Sequence, residues 1–499
     1  KKKYGLVWED KPEDVEEELR TKLPVLKEVK ERAIVNDSET EHYPNHILIE
    51  GDNLHALTAL TFTHEDAIDV IYIDPPYNTG NKDFIYNDAY VDKEDAYRHS
   101  KWLTFMHKRL NIAKRLLKDT GVVFISIDDN EQAQLKLLCD EIFGESCYVA
   151  TLPVVMNLKG NQDKYGFSDT HEYCLVYTNK TNGANFQYFT LNEEEIFENW
   201  LEDDYGLYKK ADGLRATGVN APREKRPNLY YPIFIDAEIS EFYTTEDDIP
   251  KSDTHIALWP INDDGEELSW YWKKSKVNDE NYNLILTRAR NGGFAIYKKQ
   301  RPALGDIPTK KPKSIFYKPE YSTSTATNDL KKMFGSKVFN GPKPVPFIID
   351  LLTIGLEKEG VILDFFAGSG TTLESVIRFN QLNNKNNKAI IVTSNENGIA
   401  ENITYDRNKR IIKGYSNSKK QKVNGISNNN LRYYQCDFVD REPSLANKRQ
   451  LTLLATELLC IKEDCYKEIT SKINSVKWHK LFTGANSHYV YIIYDDAFI

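Results

Sequence analysis

Apolar, β-branched runs of strand length alternate along this chain with longer stretches whose apolar positions recur at helical spacing. His46–Glu50, Ile68–Ile73 and Val122–Ile127 read as buried strands. Leu54–Leu60, Ser100–Lys118 and Asp129–Phe143 read as helices; in the second, Leu103, Met106, Leu110, Ala113 and Leu117 mark a core-facing stripe. Such alternation implies a parallel sheet. Val149–Val155 and Glu172–Thr178 read as two more strands. The pattern resumes late in the chain, with a helix at Val345–Glu357, strands at Val361–Leu363 and Ala389–Thr393, and a helix from Leu373 to Asn380 between them. From about 180 to 330 helical periodicity fades, aromatics rise, and Pro and Gly punctuate short strand-like runs such as Leu229–Ile235. Near the start, Val15, Leu19, Leu23, Leu26 and Val29 predict one amphipathic helix over 9–32, kinked at Pro24. Residues 414–430, rich in Ser, Asn and Lys, predict a mobile linker, and 431–499 mixes strand and helix patterns.

Composition narrows the class. With 499 residues, 40% hydrophobic and 28% charged, the chain fits a soluble globular protein of two or three domains. No apolar run approaches the ~18 residues that span a membrane. The start, Lys1-Lys2-Lys3-Tyr4, carries no apolar segment of signal type, so a cytoplasmic chain, trimmed at its ends, is expected. A net charge of −10 argues against indiscriminate coating of nucleic acid but leaves room for a local basic patch. The six cysteines include no Cys-x-x-Cys pair, which predicts reduced packing thiols and no metal site.

Candidate chemistry begins where the strand Ile68–Ile73 stops at Asp74-Pro75-Pro76-Tyr77-Asn78-Thr79-Gly80. Two prolines end the strand and stiffen a loop at its carboxyl end, where open α/β sheets bind ligands. The loop offers a carboxylate (Asp74), the carbonyl of Pro75 and an aromatic face (Tyr77). An amino group on a nucleobase is a poor nucleophile because its lone pair is delocalised into the ring. Two acceptors can take its two N–H groups and leave the lone pair free, while Tyr77 stacks on a base taken out of the duplex. Taken alone, the same residues read equally as a Pro-Pro turn with Tyr77 as packing. A second stretch, Asp364-Phe365-Phe366-Ala367-Gly368-Ser369-Gly370-Thr371-Thr372, follows another short strand and opens a helix. A Gly-x-Gly turn lets a ligand approach the backbone, although Leu373 stands where the third glycine of a dinucleotide fingerprint belongs.

Together the two stretches resemble the signature motifs of S-adenosylmethionine-dependent amino methyltransferases of DNA. The catalytic loop precedes the cofactor loop, as in their β class. Longer matches are similar to the modification (Mod) subunit of type III restriction-modification systems: Gly51-Asp52-Asn53-Leu54, Asp74 through Gly80, Phe124 through Glu131, His171-Glu172-Tyr173, Asp364 through Thr372, and the tail Thr456 through Glu463. The resemblance implies an α/β, Rossmann-like methyltransferase sheet, mostly parallel with helices on both faces, an inserted mixed target-recognition domain and a small C-terminal α+β region outside the catalytic sheet. The implied boundaries are an N-terminal helical segment at 1–45, a catalytic half at 46–180, target recognition at 181–335, a cofactor-binding half at 336–413, and a linker with C-terminal region at 414–499.

The resemblance also implies site roles. Asp74, Pro75, Pro76 and Tyr77 are the expected catalytic residues. Asp52, Asp364, Phe365, Ala367, Gly368, Ser369, Gly370, Thr371, Glu396 and Lys343 are the expected contacts to S-adenosylmethionine. Residues 271–318 are basic and interleaved with aromatics, which fits a DNA-contacting surface. Arg288, Arg290, Lys298, Lys299 and Arg301 there, with Arg223 and Arg226 and with Asn78 of the catalytic loop, are the expected DNA contacts. The expected activity is methylation of adenine N6 in double-stranded DNA after base flipping. The alternatives are N4-cytosine methylation, or a chiefly recognition role for a helicase–nuclease restriction partner. A homodimer is expected, and no membrane association.

Overall fold

The computed structural model describes the chain except residues 1–6, 39–40, 82, 88, 161–164, 290–291, 303–306, 473–478, 486–487 and 495–499, and the side chain of Lys472. The chain forms two compact units, one of residues 1–187 and 312–499, the other Tyr188–Lys311.

The larger unit is built on a nine-stranded sheet. In chain order its strands are β1 (Lys22–Glu28), β2 (Asn45–Glu50), β3 (Ile68–Ile73), β4 (Leu117–Ile127), β5 (Tyr148–Val155), β6 (His171–Thr178), β7 (Val361–Asp364), β8 (Lys388–Thr393) and β9 (Asn430–Asp440). In space the order is β1-β9-β2-β8-β7-β3-β4-β6-β5. The run from β9 to β4 is parallel throughout. β6 is antiparallel to both of its neighbours, and β1 is antiparallel to β9.

Side chains on successive residues point to opposite faces, so a strand buried on both faces must be apolar throughout. On one face Ile71, Ile73, Val123 and Ile125 meet helices α2 (Asn53–His64) and α3 (Arg98–Leu116) through Leu57, Leu60, Met106 and Leu110. On the other, Tyr72 meets Phe347 of α5 (Val345–Gly355), edge to face at 6.3 Å. Helix α1 (Asp14–Thr21) precedes β1, α4 is Gln132–Ile142, and three later helices are α6 (Thr371–Asn383), α7 (Asp406–Lys413) and α8 (Leu445–Glu463).

Three expectations are corrected here. The 9–32 helix is only α1, because from Lys22 the chain becomes strand β1, with Pro24 opposite Phe438 on the sheet's edge. An edge strand tolerates proline, and Val25 and Leu26 are buried there. Residues 414–430 are not a linker: Tyr415–Ser416 pairs with Lys422–Val423, and Ile426, Asn429 and Asn430 are buried. Nor does the C-terminal region lie outside the catalytic sheet, since β9 pairs with β2 over six residues.

The smaller unit is antiparallel. Leu201–Asp203, Gly206–Gly213, Phe294–Gln300 and Leu284–Arg288 form one sheet, in that order, and Glu241–Tyr243, Ile233–Asp236 and Ile256–Leu258 a second. Its core gathers Leu214, Tyr231, Ile233, Trp270, Val277, Leu284 and Ile296. The two buried aromatics satisfy their polar tips on backbone: Trp270 Nε1 donates to the Tyr231 carbonyl at 2.8 Å and the Tyr231 hydroxyl to the Trp272 carbonyl at 2.6 Å. Of the expected strand Leu229–Ile235, Leu229 ends a short 3-10 turn (Pro227–Leu229), residues 230–232 are irregular, and the strand starts at Ile233. Among the described residues no helix is long and apolar enough to cross a membrane.

Candidate active site

Parallel pairing brings together loops that are far apart in sequence. β7 pairs with β3 (Leu363 opposite Ile71), so the Asp364 and Asp74 loops leave neighbouring strands at the same edge. β2 and β8 deliver Gly51-Asp52 and Ser394–Glu396 to that edge, and antiparallel β6 begins there with His171-Glu172. These elements line a cleft of about 1020 Å³, together with Glu13, Phe84, Phe105, Arg109, Phe339 and Lys343.

The Asp74 loop is fixed from beneath. Trp102, fully buried in α3, donates Nε1 to the Pro76 carbonyl at 2.7 Å. That leaves the Pro75 carbonyl without a bonded donor among the described residues. Asn78 adopts a left-handed conformation (φ 57°) and is wholly buried, donating Nδ2 to Glu131 Oε1 at 2.5 Å and to the Arg98 carbonyl at 3.2 Å. The expected DNA contact at Asn78 is therefore corrected: its side chain anchors the loop and faces no solvent.

At the cleft surface four side chains share one knot. The Tyr77 hydroxyl lies 2.8 Å from Asp74 Oδ1 and 3.0 Å from Glu172 Oε2. Lys343 Nζ donates to the Tyr77 hydroxyl and to Glu172 Oε2, each at 2.6 Å, and sits 3.2 Å from Asp74 Oδ1. Burial pushes the Asp74 carboxyl above its usual range; the Lys343 ammonium opposes that shift and the Glu172 charge adds to it. Burial works against the charge on Lys343, but the two carboxylates outweigh it and hold the ammonium above its ordinary range. Lys343, expected among cofactor contacts, thus binds the Asp74 cluster.

The glycine loop divides into a face toward the cleft and a face away from it. Phe365, Phe366 and Gly368 line the cleft. Ser369 and Thr371 are buried, and their hydroxyls accept from Arg407 of α7 at 2.9 and 2.7 Å. Asp364 is buried as well: it accepts from the Phe366 N–H at 2.9 Å and the Thr372 hydroxyl at 2.5 Å, and burial pushes its carboxyl up to about 7. Of the residues expected as cofactor contacts, Asp364, Ser369 and Thr371 hold the loop by these bonds, the Ala367 N–H donates to the Val392 carbonyl of β8 at 3.0 Å, and the Gly370 N–H donates to the Ala367 carbonyl at 2.7 Å. Gly370 is required there: at φ 79° a Cβ would stand 2.5 Å from Asn408 Nδ2.

Asp52 caps α2 by accepting from the Leu54 N–H at 2.7 Å, and its second oxygen lies 3.4 Å from Arg109. Arg109, with no exposure, forks onto Glu13 at 3.1 and 2.7 Å. Glu396, just past β8, is exposed at the rim.

Of the expected DNA contacts in the smaller unit, several are occupied. Asp203 holds both Lys299 (2.6 Å) and Arg301 (2.8 and 2.6 Å), so these cations tie strands together and are corrected as free contacts. Those partners draw the Asp203 carboxyl well below the carboxylate range. Arg223 pairs with Glu267 at 2.7 Å. Arg288 and Lys298 pack on the rings of Phe294 and Tyr271, and Arg226 is half-buried. Arg290 lies outside the described residues.

Glu172, Arg109, Glu13 and Phe366 were not singled out as site residues from the sequence. Two signals were present: a carboxylate opening an otherwise apolar strand (Glu172), and an arginine on the apolar face of a helix (Arg109 beside Met106, Leu110 and Ala113).

A family model described as DNA methylase matches residues 68–417, which hold Asp74, Tyr77, Glu172, Lys343, the glycine loop and Glu396. The chain belongs to the DNA methylase family. The type III restriction-modification enzyme EcoPI Mod subunit of Escherichia phage P1 is 48% identical over 404 residues, 76% of this chain and 62% of that protein. The type II methyltransferase M.KpnI of Klebsiella pneumoniae is 32% identical over 392 residues, 78% of this chain and 88% of that protein. The type III StyLTI Mod subunit of Salmonella typhimurium is 32% identical over 362 residues, 68% of this chain and 50% of that protein. The chain therefore spans 62% and 50% of the length of these two Mod subunits.

Proposed function

We propose that the chain transfers a methyl group from S-adenosylmethionine to adenine N6 in double-stranded DNA, as the modification and recognition subunit of a type III restriction-modification system. One observation carries the reading: a carboxylate and a free backbone carbonyl, Asp74 and Pro75, stand at the mouth of a cleft whose other wall is the Phe365–Gly368 turn. The 48% identity to a protein named as a type III Mod subunit supports the assignment to such a system.

The cleft suits the cofactor. Its volume matches a nucleoside with an amino-acid arm, Phe365 and Phe366 offer apolar surface, and Asp52 and Glu396 offer carboxylates for hydroxyls and cationic groups. These residues, with the Gly368 backbone, would hold S-adenosylmethionine, which supplies an electrophilic methyl group when bound.

The chain's own residues then act on the amine. Asp74 and the Pro75 carbonyl accept its two N–H groups and turn its lone pair toward the cleft. As the nitrogen gains a bond it becomes cationic; the Asp74 carboxylate stabilises that charge, and the amine proton leaves through it to water. Positioning and electrostatics supply the rate, with no covalent nucleophile. The Tyr77 ring offers the flipped base a stacking face. Residues 188–311 choose the site, with Arg288, Lys298 and Arg226 as phosphate contacts. A second copy of the chain and a helicase–nuclease subunit are the proposed protein partners.

Mass spectrometry of nucleosides from duplex DNA incubated with the chain and cofactor tests this. N6-methyladenine is expected; N4-methylcytosine alone overturns the assignment.

A further inference from the structure

The Asp74 knot contains more charge than holding a loop requires. Lys343 has three N–H groups and three acceptors within reach, Asp74 Oδ1, the Tyr77 hydroxyl and Glu172 Oε2, which arrive from different parts of the chain. Glu172 is the second residue of strand β6, Lys343 precedes α5, and neither side-chain contact contributes to sheet pairing. The Lys343 ammonium also lies 4.8 Å from the Tyr77 ring centroid, so it braces the ring as well as the carboxylate.

We propose that Lys343 and Glu172 are positioning residues for Asp74: Lys343 fixes the carboxylate toward the cleft, and Glu172 shares the ammonium so that it does not close onto Asp74 alone. This rests on Asp74 being the acceptor for the target amine. A buried lysine facing a single carboxylate would form a tight pair and take up the lone pairs that the substrate amine needs. Glu172 draws one N–H away, Tyr77 draws another, and an oxygen of Asp74 stays available. With both carboxylates ionised the knot carries one net negative charge, which suits an amine that becomes cationic as it reacts.

The groups facing Asp74 are Lys343, Glu172 and Tyr77, with Tyr72, Asp364 and Cys174 behind. Lys343 is the cation among them, and Glu172 and Asp364 are like charges. The pH profile therefore moves in opposite directions when the two partners are removed. Glu172→Gln deletes a like charge, so Asp74 ionises at lower pH and the acid limb of kcat/KM moves down. Lys343→Met deletes the cation, so the acid limb moves up. Each shift should be about one pH unit.

The experiment is methyl transfer from labelled S-adenosylmethionine to duplex DNA, as a function of pH, with calorimetric titration of the same cofactor. Expected results are a kcat loss of about 10-fold for Glu172→Gln and about 100-fold for Lys343→Met, with cofactor affinity held within about threefold. The double variant should be no worse than Lys343→Met alone, since Glu172 acts through the lysine. Acid limbs that stay put, or move the same way in both variants, overturn the proposal. So does a Lys343→Met cofactor affinity that falls in step with activity, which would make the lysine a cofactor contact. Wild-type chain that methylates no amine overturns the functional reading itself, and this inference with it.

Discussion

The carboxyl edge of the central sheet and the surface of the 188–311 unit handle charge differently. At the sheet edge, carboxylates and cations are shared: Glu172 and Asp74 divide one lysine, and Arg407 serves Ser369, Thr371 and Glu374 together. In the smaller unit Asp203 is shared as well, between Lys299 and Arg301, but toward solvent Arg223–Glu267 is an exposed one-to-one pair, and Arg288 and Lys298 lie against the rings of Phe294 and Tyr271. Chemistry on a neutral amine needs groups desolvated and fixed before the substrate arrives. Recognition of a polyanion needs cations whose counter-charge can be the phosphate itself. On the proposed function, Arg288 and Lys298 are the cations expected to meet phosphate.

The largest effect expected from disturbing this contrast is on stability at the sheet edge. Arg109→Met removes the forked partner of buried Glu13, leaving it, among the described residues, only Lys108 at 3.9 Å, and should cost about 3 kcal/mol, read as a fall in the melting temperature of the larger unit. Exposed pairs of the Arg223–Glu267 kind should cost no more than ~1 kcal/mol on the same measure. Next comes Gly370→Ala, which forces a Cβ into Asn408 at positive φ and should cost ~1–3 kcal/mol, with weaker cofactor binding by calorimetry.

In the smaller unit the contrast predicts a split. Lys298→Glu and Arg288→Glu should each weaken DNA binding and lower the slope of log affinity against log salt by about one. Arg301→Gln should leave that slope unchanged and lower the unit's melting temperature, because Arg301 already belongs to Asp203. A slope that falls equally in all three variants would erase the distinction.

A separate effect is a pH slope beneath the catalytic loop. Burial pushes the Glu131 carboxyl up to about 8 from an ordinary value of 4.5, so the folded chain binds this proton more tightly than the unfolded one. Its contribution is full at low pH and is lost as pH rises toward and through 8. Glu131→Gln keeps a neutral side chain beside Asn78 and should lose less stability than wild type between pH 5 and 9, as followed by thermal melts.

Much of the sheet was legible in the sequence because strands buried on both faces carry continuous apolar runs, as Val70–Ile73 and Ala389–Val392 do. The edge strand Lys22–Glu28 was not: its apolar residues also fit a helical stripe, and only its pairing with Asn430–Asp440 decides the matter. The two motif loops could be read, but which of their residues face the cleft could not. Ser369 and Thr371 look like ligands until Arg407, far along the chain, takes their hydroxyls. Glu172 and Lys343 meet only through the fold, so their link to Asp74 had no local signal.

The central claim is that Asp74 accepts the target amine and plays no part in holding the cofactor. The most direct test measures Asp74→Ala twice, by labelled-methyl incorporation into duplex DNA and by calorimetric titration of S-adenosylmethionine. Methyl transfer should fall at least ~100-fold while cofactor affinity stays near wild type. Full methyl transfer in this variant, or a cofactor affinity that collapses with the activity, would contradict the account.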